Sequence, residues 1–162
     1  MKKLIYTLLI IIALTNSSFS AGDSSSETTA KVSNYTKAKS LIKSGKKYEK
    51  KGKTEKAQKK YINAQKLLLK SNKEKPLQAD TLNYLGFTTR KLGDYEKGEE
   101  FYLQGLQIKP DHNGINEYLG ELYVVTKRMD LAKQRLEVLK SCNCKEYKQL
   151  KEIIDGTKKS KY

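Results

Sequence analysis

A small residue recurs at a fixed distance along this chain. Gly86 and Gly120 are 34 residues apart, and each follows a leucine. Gly98 and Ala132 are separated by the same 34 residues. A period of this length is typical of repeat architectures, in which each unit is a small element that buries its apolar face against its neighbours. The recurrence therefore predicts a stack of similar units.

The units are expected to be helical. Apolar residues recur at three- and four-residue spacing, and the chain contains only two prolines, a pattern that favours amphipathic helices. We predict seven helices, at about 36–51, 54–72, 77–92, 95–108, 113–127, 129–141 and 144–155. The first six would form hairpins at about 36–72, 77–108 and 113–141, and the seventh would cap the stack.

Small and aromatic residues return at equivalent places in each unit. The middle unit, for example, has Leu85-Gly86, Gly98-x3-Tyr102 and a closing Pro110. This pattern resembles the tetratricopeptide repeat over about residues 38–146. The resemblance implies an all-α, right-handed α-solenoid of three helical hairpins plus a C-terminal capping helix. The positions that carry it are Gly45, Tyr48, Ala57, Tyr61, Leu85, Gly86, Gly98, Tyr102, Pro110, Leu119, Gly120, Tyr123 and Ala132.

The first and third units depart from the strict pattern. Gly45 and Gly86 are 41 residues apart, so the second helix of the first hairpin is expected to be longer. Lys127 stands where the first two hairpins have Gly52 and Gly93, residues suited to a left-handed helix end. The third unit is therefore expected to be the least regular.

The first twenty residues have the layout of a secretory signal peptide. Lys2 and Lys3 precede an apolar run over 4–14, and small residues stand before Ala21. We expect cleavage near Ser20-Ala21 and a periplasmic or secreted protein. The alternative is an uncleaved N-terminal anchor, although the apolar run is too short for a stable transmembrane helix. Residues 21–34 would be a flexible linker, 35–155 the repeat domain and 156–162 a basic tail.

The sequence offers little chemistry for an active site. His112 is the only histidine and is expected in a turn between hairpins. The chain shows no phosphate-binding glycine loop, paired-histidine metal motif or nucleophile elbow. Carboxylates on helix surfaces lack the desolvated cleft that acid–base catalysis needs. We therefore expect a non-enzymatic protein that uses no cofactor and no metal.

Cys142 and Cys144 are the only cysteines, so packing must hold the fold together. In an oxidising compartment such a pair could bridge locally, cross-link two chains, or serve as a thiol-exchange site. Two sulfurs are too few for a structural zinc site. The resemblance to small exported tetratricopeptide proteins implies a local disulfide that fixes the terminal helix.

The resemblance also implies a concave groove lined by the first helix of each hairpin. Tyr84 and Tyr118 are 34 residues apart and should lie side by side along it. Lysines would supply charge and tyrosines rigid contact area for an extended, acidic segment of another protein or peptide. The implied groove residues are Lys39, Lys43, Lys46, Lys50, Asn83, Tyr84, Phe87, Arg90, Lys91, Glu117, Tyr118, Glu121 and Val125.

The groove only partly resembles the carboxylate clamp of chaperone-binding tetratricopeptide adaptors. Glu117 and Glu121 stand where that clamp has basic residues, so we do not predict a C-terminal carboxylate clamp. We expect acidic segments to bind toward the N-terminal half of the groove. The alternative is that its lysines form no more than a solvated helix face.

The charge of the chain suggests a second function. Lysine and arginine number 33 against 18 acidic residues, a formal net charge of +15. Nine lysines lie within residues 43–60, which favours, as an alternative, electrostatic attachment to an anionic envelope surface through the first hairpin. Nucleic acid is not expected, because export argues against it and aromatic residues do not interleave with these lysines.

Overall fold

The computed structural model describes residues 32–160. The predicted signal peptide, the linker up to residue 31 and the last two residues of the basic tail lie outside this range. The described chain contains seven helices and no strand, which confirms the predicted all-α fold class. The helices are α1 (Asn34–Glu49), α2 (Thr54–Glu74), α3 (Ala79–Lys91), α4 (Tyr95–Ile108), α5 (Asn113–Val125), α6 (Met129–Leu139) and α7 (Lys145–Ile154).

Consecutive helices pack as hairpins, α1 with α2, α3 with α4 and α5 with α6. The hairpins stack in chain order, because α2 also packs on α3 and α4 on α5. The first helices contact one another in the order α1, α3, α5, and α7 packs against α5 and α6. This is the helical-hairpin solenoid that the tetratricopeptide pattern predicts.

In the first two hairpins, a tyrosine of the second helix lies directly on a glycine of the first. A Cβ atom added to Gly45 would lie 2.5 Å from Cε1 of Tyr61, and one added to Gly86 would lie 2.5 Å from Cε1 of Tyr102. Both tyrosines are fully buried. Because any larger residue would overlap the ring, the two glycines allow the helices of each hairpin to approach closely.

The third hairpin is completed by the capping helix. A Cβ atom on Gly120 would lie 2.5 Å from a terminal methyl of Leu150, a fully buried residue of α7. Leu136, which aligns with Tyr102 of the preceding unit, is only half-buried. The side chain that covers the third glycine therefore comes from α7.

Turn conformations set several helix ends. Gly52 and Gly93 have φ angles of 67° and 99°, and Lys127 at the equivalent place has a φ of 60°. That left-handed residue explains why α5 ends at Val125, two residues earlier than predicted. The α1 helix begins at Asn34 because the Ser33 side chain accepts a hydrogen bond of 3.1 Å from the Thr36 amide.

Other helix ends also differ from the prediction by one or two residues. Leu77 has a left-handed φ of 57°, so α3 begins only at Ala79. The α2 helix is the longest, with 21 residues, and accommodates the additional length of the first unit.

In the described part of the tail, the Lys158 amide donates a hydrogen bond of 3.1 Å to the Glu152 carbonyl. Between residues 32 and 160, none of the helices is both long and apolar enough to span a bilayer.

Candidate functional site

The row of first helices borders a groove of about 1200 Å³. The α1 helix forms one wall, α3 lies in the middle, and α5 with the start of α7 forms the opposite wall. Its lining residues are Lys39, Ser40, Ile42, Lys43, Lys46, Lys47, Glu49, Lys50, Thr54, Asn83, Tyr84, Phe87, Lys91, Gly114, Glu117, Tyr118, Glu121, Lys145, Glu146 and Gln149.

The α1 wall is basic. Lysines at 39, 43, 46 and 50 follow the spacing of one helix face, and all four border the groove. Three of them are exposed, whereas Lys46 is half-buried. Its ammonium donates a hydrogen bond of 2.8 Å to the Tyr118 hydroxyl and lies 4.4 Å from the centre of the Phe87 ring. This wall can therefore attract negative charge along most of its length.

Arg90 lies beneath the groove surface. It is 2% exposed, and its Nη1 donates a hydrogen bond of 3.0 Å to the Tyr118 carbonyl. Its Nη2 lies 3.4 Å from Glu121 Oε2, in a buried ion pair. The sequence pattern placed Arg90 in the groove lining, but the central helix α3 is enclosed on several sides, and Arg90 instead links α3 to α5.

The α5–α7 wall carries three carboxylates, Glu117, Glu121 and Glu146. Glu117 is 5% exposed. Burial raises the pKa of Glu117 to about 8, with further increases from the nearby charges of Glu121 and Glu146. Lys46 and Arg90 act in the opposite direction. This wall is therefore chemically distinct from the α1 wall.

The aromatic residues of the groove have different neighbours. The Tyr84 ring lies 6.0 Å from that of Tyr35, whereas the Tyr118 ring lies 5.3 Å from that of Phe87 and 6.5 Å from that of Tyr102. Burial raises the pKa of the Tyr118 hydroxyl well above its ordinary value. Tyr84 and Tyr118 both border the groove, with rings packed against these separate partners.

Most of the residues assigned to the groove from the sequence do border it. Arg90 and Val125 are the exceptions, and Val125 is the half-buried last residue of α5. The contribution of Lys145, Glu146 and Gln149 was not predicted, because the repeat pattern indicates only a capping role for α7. The sequence did contain a signal for Glu146. Leu150 and Ile153 follow it by four and seven residues, so all three lie on the same packed face of α7.

Two other residue sets from the sequence lie outside the groove lining. Cys142 and Cys144 form a disulfide in the turn before α7. His112 precedes α5, where its Nδ1 accepts a hydrogen bond of 3.1 Å from the Ile115 amide and its Nε2 lies 3.0 Å from an Asp80 carboxylate oxygen. Across residues 32–160, no group of three or more potential side-chain ligands could hold a metal ion.

No protein-family model matches the chain, and a search of curated proteins found no match. A search of solved structures found tetratricopeptide domains that are similar to the chain at low sequence identity. The first TPR of Spaghetti (RPAP3), bound to the HSP90 peptide SRMEEVD, is 18% identical, with a TM-score of 0.49 over 77% of this chain and 95% of that chain. The Arabidopsis OM64 TPR domain is 15% identical, with a TM-score of 0.47 over 77% and 99%. MamA of RS-1, as the ArsTM double mutant, is 20% identical, with a TM-score of 0.48 over 75% and 67%.

Proposed function

We propose that this chain, a solenoid of tetratricopeptide-type hairpins, is a non-enzymatic interaction protein whose groove binds an extended segment of another protein. The observation that carries the proposal is the groove itself, which combines an exposed basic wall with aromatic side chains. Its volume of about 1200 Å³ exceeds the range typical of small-molecule pockets, about 300–1,000 Å³. An extended polypeptide is a better match to that size and shape.

The aromatic side chains would provide the contact area for such a segment. Tyr84 and Tyr118 are half-buried and Phe87 is held between Tyr61 and Tyr118. Rings already fixed by packing lose little conformational freedom when a ligand binds, so their contacts contribute efficiently to affinity.

The exposed lysines of α1 favour acidic residues in the part of the ligand that lies beside them. Lys39, Lys43 and Lys50 are exposed and border the groove. They would orient the ligand and accelerate its association more than they would strengthen the final complex. The carboxylates of α5 on the opposite wall are the reason not to propose a clamp for a terminal carboxylate.

Export of the protein is part of the proposal and rests on the layout of residues 1–20. A mature chain beginning at Ala21 in the periplasmic or culture fraction, identified by intact mass, would support it. Full-length protein retained in a membrane fraction would indicate an uncleaved anchor instead.

The binding proposal can be tested with labelled extended peptides that carry an acidic block, followed by fluorescence anisotropy. Lys43→Glu reverses a charge in the groove, and Lys59→Glu makes the same change on an exposed α2 position outside the lining. Tyr84→Ala removes a groove contact. We expect Lys43→Glu and Tyr84→Ala to weaken binding about tenfold, equivalent to about 1.4 kcal/mol, with little effect of Lys59→Glu.

Attachment to an anionic surface through the first hairpin would give a different result. The two lysine variants would then weaken binding equally, Tyr84→Ala would have no effect, and binding would fall steeply with salt for every variant. Anionic vesicles can be used in the same assay. Peptide binding that does not depend on Tyr84 and Lys43 would refute the groove as the site.

A further inference from the structure

We propose that the α5–α7 wall of the groove contains a subsite for a basic side chain of the bound segment, with Glu117 as its acceptor. This inference rests on the proposed function and adds a charge pattern to it. The ligand would carry acidic residues beside α1 and a lysine or arginine beside α5.

Glu117 is a buried acceptor that borders the groove. It lies three residues after Gly114 and four before Glu121, so all three residues occupy the same face of α5 and all three border the groove. Glu117 is 5% exposed, yet within residues 32–160 its carboxylate receives no hydrogen bond and forms no ion pair. The ionised form of a carboxyl that is largely removed from water is unfavourable, and a ligand that supplied a cation would stabilise it.

The neighbouring carboxylates have partners within the protein. Glu121 lies 3.4 Å from the buried Arg90 guanidinium, and Glu146 lies 3.8 Å from the Lys145 ammonium. The Lys46 ammonium donates to the Tyr118 hydroxyl. Glu117 differs from these two acids, because no cation lies within ion-pair distance of its carboxyl in residues 32–160.

Asn83 provides an independent observation at the same end of the groove. It is 5% exposed and lines the groove, and its Oδ1 is buried without a hydrogen-bond partner. Its amide lies beside Gly114, where an added Cβ atom would be 2.8 Å from Asn83 Nδ2. The α3 helix thus brings a buried acceptor without a donor to this end of the groove, where α5 places the largely buried Glu117.

A basic side chain provides what these acceptors lack. An ammonium group carries three N–H donors and a guanidinium five, and neither has an acceptor. The α1 wall, where the side chains of Lys39, Lys43 and Lys50 are exposed, would repel such a group. The two walls therefore select opposite charges.

Proton release is a consequence of this subsite. With a pKa of about 8, the Glu117 carboxyl is mostly neutral at pH 7 before binding. A ligand cation would favour its ionised form, so binding would release a proton and affinity would rise from about pH 6 to pH 8. The other charges that act on Glu117 are those of Glu121 on α5, Glu146 on α7, Lys46 on α1 and Arg90 on α3.

The test uses the full chain and pairs of synthetic peptides that differ at one atom. Each peptide has an acidic block followed by arginine or by citrulline, its neutral analogue. We expect the arginine peptide to bind about tenfold more tightly, a difference of about 1.4 kcal/mol. Glu117→Gln should abolish that preference, so that the two peptides bind this variant with equal affinity. The matched control is Glu55→Gln, an exposed acid of α2 outside the groove, which should retain the preference.

A second measurement needs no variant. Calorimetry of the wild-type chain in two buffers of different ionisation enthalpy should detect proton release with the arginine peptide and none with the citrulline peptide. Equal affinities for the two peptides, or a preference that survives Glu117→Gln, would overturn the subsite. The proposed function would fail separately, if neither peptide bound or if Tyr84→Ala weakened neither.

Discussion

Lys46 of α1 and Tyr118 of α5 meet across the groove, where the lysine ammonium donates a hydrogen bond of 2.8 Å to the tyrosine hydroxyl. The two residues are 72 positions apart, so the contact joins the first hairpin to the third. We expect Tyr118→Phe to lower the free energy of unfolding by about 1 kcal/mol, the usual contribution of such a bond.

A double-mutant cycle with Lys46→Met isolates this contact. Urea unfolding of the two single variants and the double variant should give a coupling energy of about 1 kcal/mol. Additive effects would show that the hydroxyl and the ammonium stabilise the protein independently.

Replacing Gly86 by alanine is expected to destabilise the second hairpin. Helix propensity alone would favour alanine by about 1 kcal/mol. The added methyl would, however, lie 2.5 Å from the ring of Tyr102, which is fully buried and cannot move away. Overpacking costs about 1–3 kcal/mol, so we expect a net loss of up to about 2 kcal/mol in urea unfolding.

Tyr102→Leu provides the compensating change for Gly86→Ala. Leucine is the residue type that covers the equivalent glycine of the third hairpin, where Leu150 lies on Gly120. In the Tyr102→Leu background, Gly86→Ala should therefore be much less destabilising than in the wild type. An equal loss in both backgrounds would mean that the ring does not impose the requirement for glycine.

The hairpins could be predicted from the sequence because their packing depends on short-range, repeated contacts. Gly45 and Tyr61 are 16 residues apart, as are Gly86 and Tyr102. The same spacing therefore indicates the same glycine–tyrosine contact in both hairpins. The third unit lacks this spacing, because the residue that covers Gly120 is Leu150 of α7 and not a residue of α6. No repeat period predicts that contact.

The groove was less predictable, because its chemistry depends on contacts between units. The spacing on α3 placed Arg90 near the groove but could not show that Tyr118 and Glu121 would bury it. Likewise, the repeat pattern placed Glu117 on the groove face without indicating that it would lack a partner. Such properties depend on which side chains of neighbouring hairpins meet, and a single helix face does not encode that.

Lys127→Gly is expected to stabilise the protein. Lys127 has a φ of 60° and stands where the first two hairpins have glycine. A left-handed conformation costs a residue with a side chain about 1 kcal/mol relative to glycine, so the variant should gain up to about 1 kcal/mol in urea unfolding. Lys133→Gly, an exposed position inside α6, should lose about the same amount because glycine is unfavourable in a helix.

The Cys142–Cys144 disulfide should contribute less stability than the packing of α7. It closes a loop with one intervening residue, and such a short loop restricts the unfolded chain by less than about 2 kcal/mol. Leu150→Ala should cost about 2–5 kcal/mol, because the side chain is fully buried on Gly120.

The contribution of the disulfide can be compared with that of Leu150 packing. The protein is reduced with dithiothreitol and then followed by circular dichroism and urea unfolding. We expect the helical spectrum to be retained after reduction, with a Cys142→Ser/Cys144→Ser variant behaving in the same way. Loss of helix on reduction comparable to that in Leu150→Ala would show that the bridge holds α7 in place as much as the leucine does.

Glu117 should make the stability of the protein depend on pH. Its pKa rises from an ordinary 4.5 to about 8 on folding, so between these values the native state holds a proton that the unfolded chain has released. The contribution of this group to the free energy of unfolding therefore falls as pH rises from about 4.5 to 8, by roughly 1.4 kcal/mol per pH unit. Above the native pKa of Glu117, the free energy of unfolding no longer changes with pH through this group.

Glu117→Gln removes this dependence, because glutamine does not titrate. In urea unfolding from pH 5 to pH 9, the stability of the variant relative to the wild type should rise up to about pH 8 and then remain level. Glu55→Gln, on the exposed surface of α2, should show no such trend. A constant difference between Glu117→Gln and the wild type at every pH would mean that the carboxyl is already ionised in the folded protein, and the basis for proton release on ligand binding would be lost with it.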